Sequence, residues 1–139
     1  MAVESVESDA DIRSILEYET IAVVGCSSTP GKAAHDIPAY LDERGYEVIP
    51  VNPFADEILG RPTRDSLAEV EAEIDVVCVF RPSEEVGGIV DAALERDDVK
   101  AVWTQRGIQD DEAAERALEA GRQVVQDRCM MVEHRRLVA

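Results

Sequence analysis

The chain has 139 residues, and its 14 lysines and arginines against 30 aspartates and glutamates leave a formal charge of −16. That length predicts one domain spanning residues 1–139 with no separate catalytic lobe, and 45% hydrophobic residues supply enough apolar material for a packed core. So negative a surface disfavours nucleic acid and anionic membranes, no apolar run reaches the roughly 20 residues of a membrane span, and the acids in residues 1–11 do not suit a signal peptide, so a soluble cytoplasmic protein is expected.

Residues 1–7 read as loose chain. Ser8 is placed to cap a helix running to about residue 18, with Ile12, Ile15 and Leu16 turned inward. Residues 21–25, I-A-V-V-G, form a first apolar strand. A helix over about 33–44 puts Ile37, Tyr40 and Leu41 on one face and ends at Gly45; Pro38 is expected in or near its first turn, because a deeper position costs about 3 kcal/mol. Strand two follows at 47–51, and Asp65 or Ser66 caps a single turn over 67–70. Strand three, 75–80, reads D-V-V-C-V-F. After it Ser83 is the expected N-cap of a helix with Glu84 and Glu85 in the first turn and Val86, Ile89, Val90, Ala93 and Leu94 along one stripe. Strand four covers 99–103. Asp110 or Asp111 opens a further helix that buries Ala113, Ala114, Ala117 and Leu118 and stops at Gly121, and strand five covers 123–126.

Strands that are nearly unbroken apolar runs, alternating with helices, describe an α/β fold with a parallel sheet covered on both faces. The expectation is a Rossmann-like, doubly wound sheet of five strands in the order 3-2-1-4-5. In such sheets ligands bind beyond the carboxyl ends of the strands, where the strand order reverses beside strand one.

The loops at that edge are therefore the first place to look for chemistry. Strand one runs into Gly25-Cys26-Ser27-Ser28-Thr29-Pro30-Gly31-Lys32. Against the dinucleotide pattern G-x-G-x-x-G only Gly25 matches, since Ser27 and Pro30 occupy the other two glycine positions. The loop is either a polar turn or a phosphate cradle built of amides, hydroxyls and Lys32. Strand two ends in Val51-Asn52-Pro53, without the acid that would hold a ribose in an NAD site. Arg61, Arg64, Arg81, Arg106 and Arg128 fall in the later loops. They are either solvated loop residues or a local positive edge that attracts a polyanion.

Only Lys32 and Lys100 among the cations are lysines. An acid-rich, lysine-poor chain fits a halophilic setting, in which salt screens self-repulsion; the alternative is an acidic face for a basic partner. Cys26, Cys78 and Cys129 form no C-x-x-C pair, and with His35 and His134 as the only histidines no metal centre or disulfide framework is expected. Cys129 beside Arg128 reads either as an activated thiol or as a small residue in a structural turn; the turn is favoured because no base but His134 lies nearby in sequence. Trp103 reads as packing or as a ligand platform, Asp127 as a ligand orienter or a cap. Glu133 and His134 read as an acid–base pair or as a C-terminal structural contact.

The ordered motifs Val24-Gly25-Cys26-Ser27 with Pro30 and Lys32, Val51-Asn52-Pro53, Val79-Phe80-Arg81 with Ser83-Glu84, Trp103 with Gln105 and Gly107-Ile108, and Asp127-Arg128-Cys129 with Glu133, His134 and Arg136-Leu137 resemble the small stand-alone CoA-binding proteins. Those are similar to the N-terminal CoA-binding domain of the succinyl-CoA synthetase alpha subunit. The resemblance spans about residues 12–137. It implies a domain that binds coenzyme A along the carboxyl edge, with Gly25, Ser27, Ser28, Pro30 and Lys32 around the phosphates and Asn52, Pro53, Phe80 and Arg81 flanking the adenosine. Trp103, Gln105 and the turn of Asp127, Arg128 and Cys129 would lie toward the pantetheine arm. Ala33 and Ala34 depart from the family, which often has a bulky or rigid residue there. Ligase chemistry is not implied, because the synthetase's phosphorylated histidine belongs to a further domain. The expectation is a CoA or acyl-CoA binding protein without catalytic residues. The rivals are an NAD(P)- or other nucleotide-dependent enzyme on the same fold and a regulatory or scaffolding subunit.

Overall fold

A computed structural model describes residues 8–138; the looseness expected of residues 1–7 lies outside the described residues. Five parallel strands, β1 Thr20–Val24, β2 Glu47–Val51, β5 Val76–Val79, β6 Ala101–Thr104 and β7 Gln123–Val125, form one sheet in the order β2-β1-β5-β6-β7. A small antiparallel hairpin, β3 Glu57–Ile58 with β4 Arg61–Pro62, lies in the connection after β2. Five helices, α1 Asp9–Leu16, α2 Ala33–Glu43, α3 Ser83–Leu94, α4 Asp111–Glu119 and α5 Met130–Leu137, complete the fold.

The strands are where the apolar runs place them. The wholly apolar β5 is buried at all four positions, as a strand covered on both faces must be. One core packs Ile12, Ile37, Leu41 and Met130 of α1, α2 and α5 against one face of the sheet. A second packs Val86, Val90, Ala113 and Ala117 of α3 and α4 against the other.

The strand order corrects the expected one. In terms of the five long strands it is 2-1-3-4-5, because the third, β5, pairs with β1 and leaves β2 at the edge. Pro50 supplies the reason. Its carbonyl accepts the Arg64 amide at 3.1 Å, on the side of β2 away from β1, and a strand residue points its N–H and C=O the same way. The missing N–H of Pro50 therefore faces outward, where an interior strand would need a donor. The backbone of Arg64 covers this edge, bridging to Val51. The reversal of strand order thus lies between β1 and β5, and the loops leaving those two strands face one another.

The helix boundaries follow their caps. Ser8 accepts from the Asp11 amide and Asp110 from the Ala113 amide, and Gly45 and Gly121 close α2 and α4 with φ of +96° and +83°. Two expectations fail. Ser83 is the first residue inside α3, after Pro82 at the cap, and its hydroxyl instead accepts the Gln109 amide at 2.9 Å. Pro38 is six residues into α2, beyond the first turn. A proline there leaves the carbonyl four residues earlier without its helical donor. That carbonyl, of Ala34, accepts the backbone amide of Ser27 at 2.9 Å, so the proline is accommodated by tying α2 to the loop after β1.

Candidate functional site

At the reversal point the fold opens a cleft of about 860 Å³, within the range of small-molecule sites. The loop after β1 forms one wall. Gly25 has φ of +87°, and a β-carbon placed on it would stand 3.2 Å from the Phe80 carbonyl carbon and 2.8 Å from Arg81 Cδ. Only glycine lets the loops from β1 and β5 approach so closely. Ser27 folds the turn by accepting the Thr29 amide at 3.0 Å. Gly31 donates to Asp36 at 3.1 Å; that carboxyl lies below the usual range because of hydrogen bonds from His35 and Gly31.

The second wall is the loop after β2, fixed by Asn52. Its amide group donates to the Cys26 carbonyl at 2.8 Å and its side-chain oxygen accepts the Phe54 amide at 2.7 Å. Phe54 follows on the lip of the cleft with 95% of its surface exposed. A 3-10 turn, Leu67–Glu69, brings Ser66 and Leu67 to the lining. Arg96 anchors this turn by donating to the Leu67, Val70 and Ala72 carbonyls at 2.8 to 2.9 Å. The third wall is α3, which presents Glu84, Glu85, Gly88, Ile89 and Ala92.

Both helices that begin at the cleft lack a side-chain cap. Lys32 stands at the N-cap of α2 and Pro82 at that of α3, and neither makes a capping hydrogen bond. The His35 and Glu85 amides close back on the cap carbonyls of Lys32 and Pro82 at 2.9 Å, so it is the amides of the first two residues of each helix, with the positive ends of the dipoles, that are offered to an anion.

Eight of the residues singled out from the sequence line this cleft: Gly25, Ser27, Ser28, Lys32, Asn52, Pro53, Phe80 and Arg81. Lys32 and Arg81 share it. Pro30 is exposed in the β1 loop outside the lining. Trp103, Gln105, Asp127, Arg128 and Cys129 are not brought to the cleft. Trp103 has no exposed surface and donates from its indole N–H to the Arg128 carbonyl at 2.8 Å. Gln105, also buried, donates to Cys78 Sγ at 2.9 Å and accepts the Met130 amide at 3.1 Å. Asp127, with φ of +57°, accepts the Gly107 amide at 2.6 Å. Together these groups brace the turns after β6 and β7. Sequence reading missed Phe54, Ser66, Leu67, Glu85 as a lining group, Gly88, Ile89 and Ala92; the adjacent glycines inside α3 were an available signal.

The electrostatics depart from the expected positive edge. Arg61 pairs at 2.6 Å with Asp42 and with Glu47 at the start of β2, the opposite end of the strand from the cleft. Arg64 pairs with Glu71, Arg81 with Glu85, and Arg128 with Glu133. The lining carries Lys32 and Arg81 against Asp65, Glu84 and Glu85. An anion would be drawn by local amides and hydroxyls rather than by net charge.

The remaining candidates have structural partners. Burial pushes the Cys26 and Cys78 thiols up to about 12, too high for thiolate chemistry at neutral pH. Cys129 is partly buried at the N-cap of α5. His134 meets the Tyr40 hydroxyl at 2.8 Å, and burial lowers its pKa. Glu133 binds Arg136 at 2.8 Å. The pair thus splits between two contacts that fasten α5. No group of three His, Cys, Asp or Glu side chains among the described residues is arranged to hold a metal ion, and no helix among them is long and apolar enough to cross a membrane.

Comparison with known proteins matches residues 19–135 to the CoA binding domain family. The protein YneT of Bacillus subtilis is 41% identical over 128 residues, covering 91% of this chain and 94% of that protein. The ADP-forming acetate–CoA ligase II of Archaeoglobus fulgidus is 28% identical over 118 residues, but this chain spans only 17% of its length. Among solved structures, a hypothetical protein from Pyrococcus horikoshii superimposes with a TM-score of 0.91 at 37% identity, covering 100% of this chain and 99% of that one.

Proposed function

We propose, from the premise that this chain belongs to the family of CoA binding domains, that its carboxyl-edge cleft binds coenzyme A or an acyl-CoA and that the protein acts by binding rather than by catalysing a reaction. The observation that carries this reading is the meeting of two uncapped helix N-termini with Ser27, Ser28 and Lys32 in one cleft at the sheet's reversal point. Amides and hydroxyls at the start of α2 suit pyrophosphate oxygens, and Lys32 adds charge. Asn52, Pro53, Phe80 and Arg81 flank the adenosine end. Gly88 fits the same reading: a β-carbon there would touch no protein atom within 4 Å and would project into cleft space.

Pro30 shapes the phosphate turn from outside it. Trp103, Gln105, Asp127, Arg128 and Cys129 act one layer behind, holding the neighbouring turns toward which the pantetheine arm extends. In this reading residues 1–139 are one cytoplasmic, nucleotide-binding domain suited to high ionic strength, where screening of a −16 chain lets an anionic ligand approach.

The test is isothermal titration with CoA at high salt, on protein shown to be folded by circular dichroism. Saturable binding that weakens at least ten-fold in Lys32→Ala supports the reading. Absence of heat with CoA, or preferential binding of NADH, refutes it.

A further inference from the structure

The Arg81 and Glu85 side chains are clasped to each other by two hydrogen bonds, Nε to Oε1 at 3.0 Å and a terminal nitrogen to Oε2 at 2.8 Å, and both line the cleft. The stem of Arg81 lies over Gly25, so close that a β-carbon on the glycine would stand 3.1 Å from its Cγ and 2.8 Å from its Cδ. The stem is therefore located while the head remains half-exposed, and Glu85 is equally exposed. An ion pair this open to water is weak. Its geometry is nevertheless the fork with which a guanidinium holds a carboxylate or a phosphate.

We propose that Glu85 sets, by lowering it, the preference of the cleft for a phosphorylated ligand: its carboxylate occupies the guanidinium of Arg81 until a phosphate monoester displaces it. The proposal rests on the reading of the cleft as a CoA site. A phosphate on the ribose offers Arg81 more charge than Glu85 does and a fork of its own, so the exchange is favourable. A ribose hydroxyl offers neither, and Arg81 stays with Glu85. The carboxylate thus acts as an internal competitor that costs only those ligands that engage Arg81, so it tempers the preference of the cleft for CoA over dephospho-CoA.

Titration calorimetry with CoA and with dephospho-CoA, at the lowest salt that keeps each variant folded, tests this. Glu85→Gln should tighten CoA about two- to five-fold and leave dephospho-CoA unchanged within two-fold. Glu84→Gln removes the same charge from the same lining without freeing Arg81, so it should change the ratio of the two affinities less than Glu85→Gln does. Arg81→Ala should bring the ratio of the two affinities close to one, and Glu85→Gln should then no longer alter it. Weaker CoA binding in Glu85→Gln, or equal shifts for both ligands, overturns the role of Glu85 while leaving the CoA site standing. A folded wild-type protein that binds neither ligand overturns the site and this proposal with it.

Discussion

Replacing Gly25 with alanine should destabilise the protein by about 2 to 5 kcal/mol, through two contributions the structure separates. The φ of +87° places any other residue in the left-handed region, at roughly 1 to 2 kcal/mol. The added methyl also meets the Phe80 backbone at 3.2 Å and Arg81 Cδ at 2.8 Å, and crowding of this kind costs about 1 to 3 kcal/mol. For a chain of this size the sum corresponds to a fall in Tm on the order of 10 °C, read by scanning calorimetry in a fixed salt concentration. The double variant Gly25→Ala, Arg81→Ala separates the contributions, because shortening Arg81 removes its overlap but not the backbone strain or the Phe80 contact. The penalty of Gly25→Ala should fall by about half in that background. A loss below about 1 kcal/mol in both backgrounds would mean that the loops do not approach as described.

Gly88→Ala should act in the opposite sense on stability, gaining about 0.5 to 1 kcal/mol from helix propensity, while weakening CoA; a variant that binds CoA as well as wild type would remove Gly88 from the ligand-facing part of the α3 wall. Arg96→Ala should cost about 2 to 4 kcal/mol in urea unfolding, since three carbonyls and Asp98 lose their donor, and an unchanged midpoint would refute that anchoring role. Arg96, by its hydrogen bonds, holds the Asp98 carboxyl down at about 2 against an ordinary 3.8. That stabilisation, about 2 kcal/mol, is complete above pH 3.8 and disappears as pH falls through 2. The stability gap between wild type and Asp98→Asn should therefore close over that window, and a gap independent of pH would count against it. CoA affinity should rise as salt is increased from low levels, because the ligand and a −16 protein repel each other; a steady fall would instead indicate an attractive field at the cleft.

What the sequence disclosed was governed by local rules. Unbroken apolar runs gave the five strands, and Ser8, Asp110, Gly45 and Gly121 gave helix ends, because caps and left-handed residues act within one turn of themselves. The residues of the β1 loop were legible as lining of the cleft because topology alone puts that loop at the carboxyl edge. The strand order was misjudged, although Pro50 carried the signal in its missing donor. The hairpin of β3 and β4, where Leu59 and Gly60 both take positive φ, sits in a stretch without apolar periodicity. The arginines were visible but their partners were not, since Asp42, Glu47 and Glu71 reach Arg61 and Arg64 only through tertiary packing. Glu85 was the exception, four residues from Arg81, a spacing from which the pair was available although it was not read. Phe54 and the α3 lining became apparent only when the cleft had a third wall.

Pro38 makes the second turn of α2 and the serine loop a single mechanical unit, joined through the Ala34 carbonyl. A residue with an amide at position 38 would offer that oxygen a second donor, from within the helix. Continuing the helix and keeping the loop in place meet on one atom. What stands at position 38 therefore bears on a turn eleven residues upstream, at Ser27.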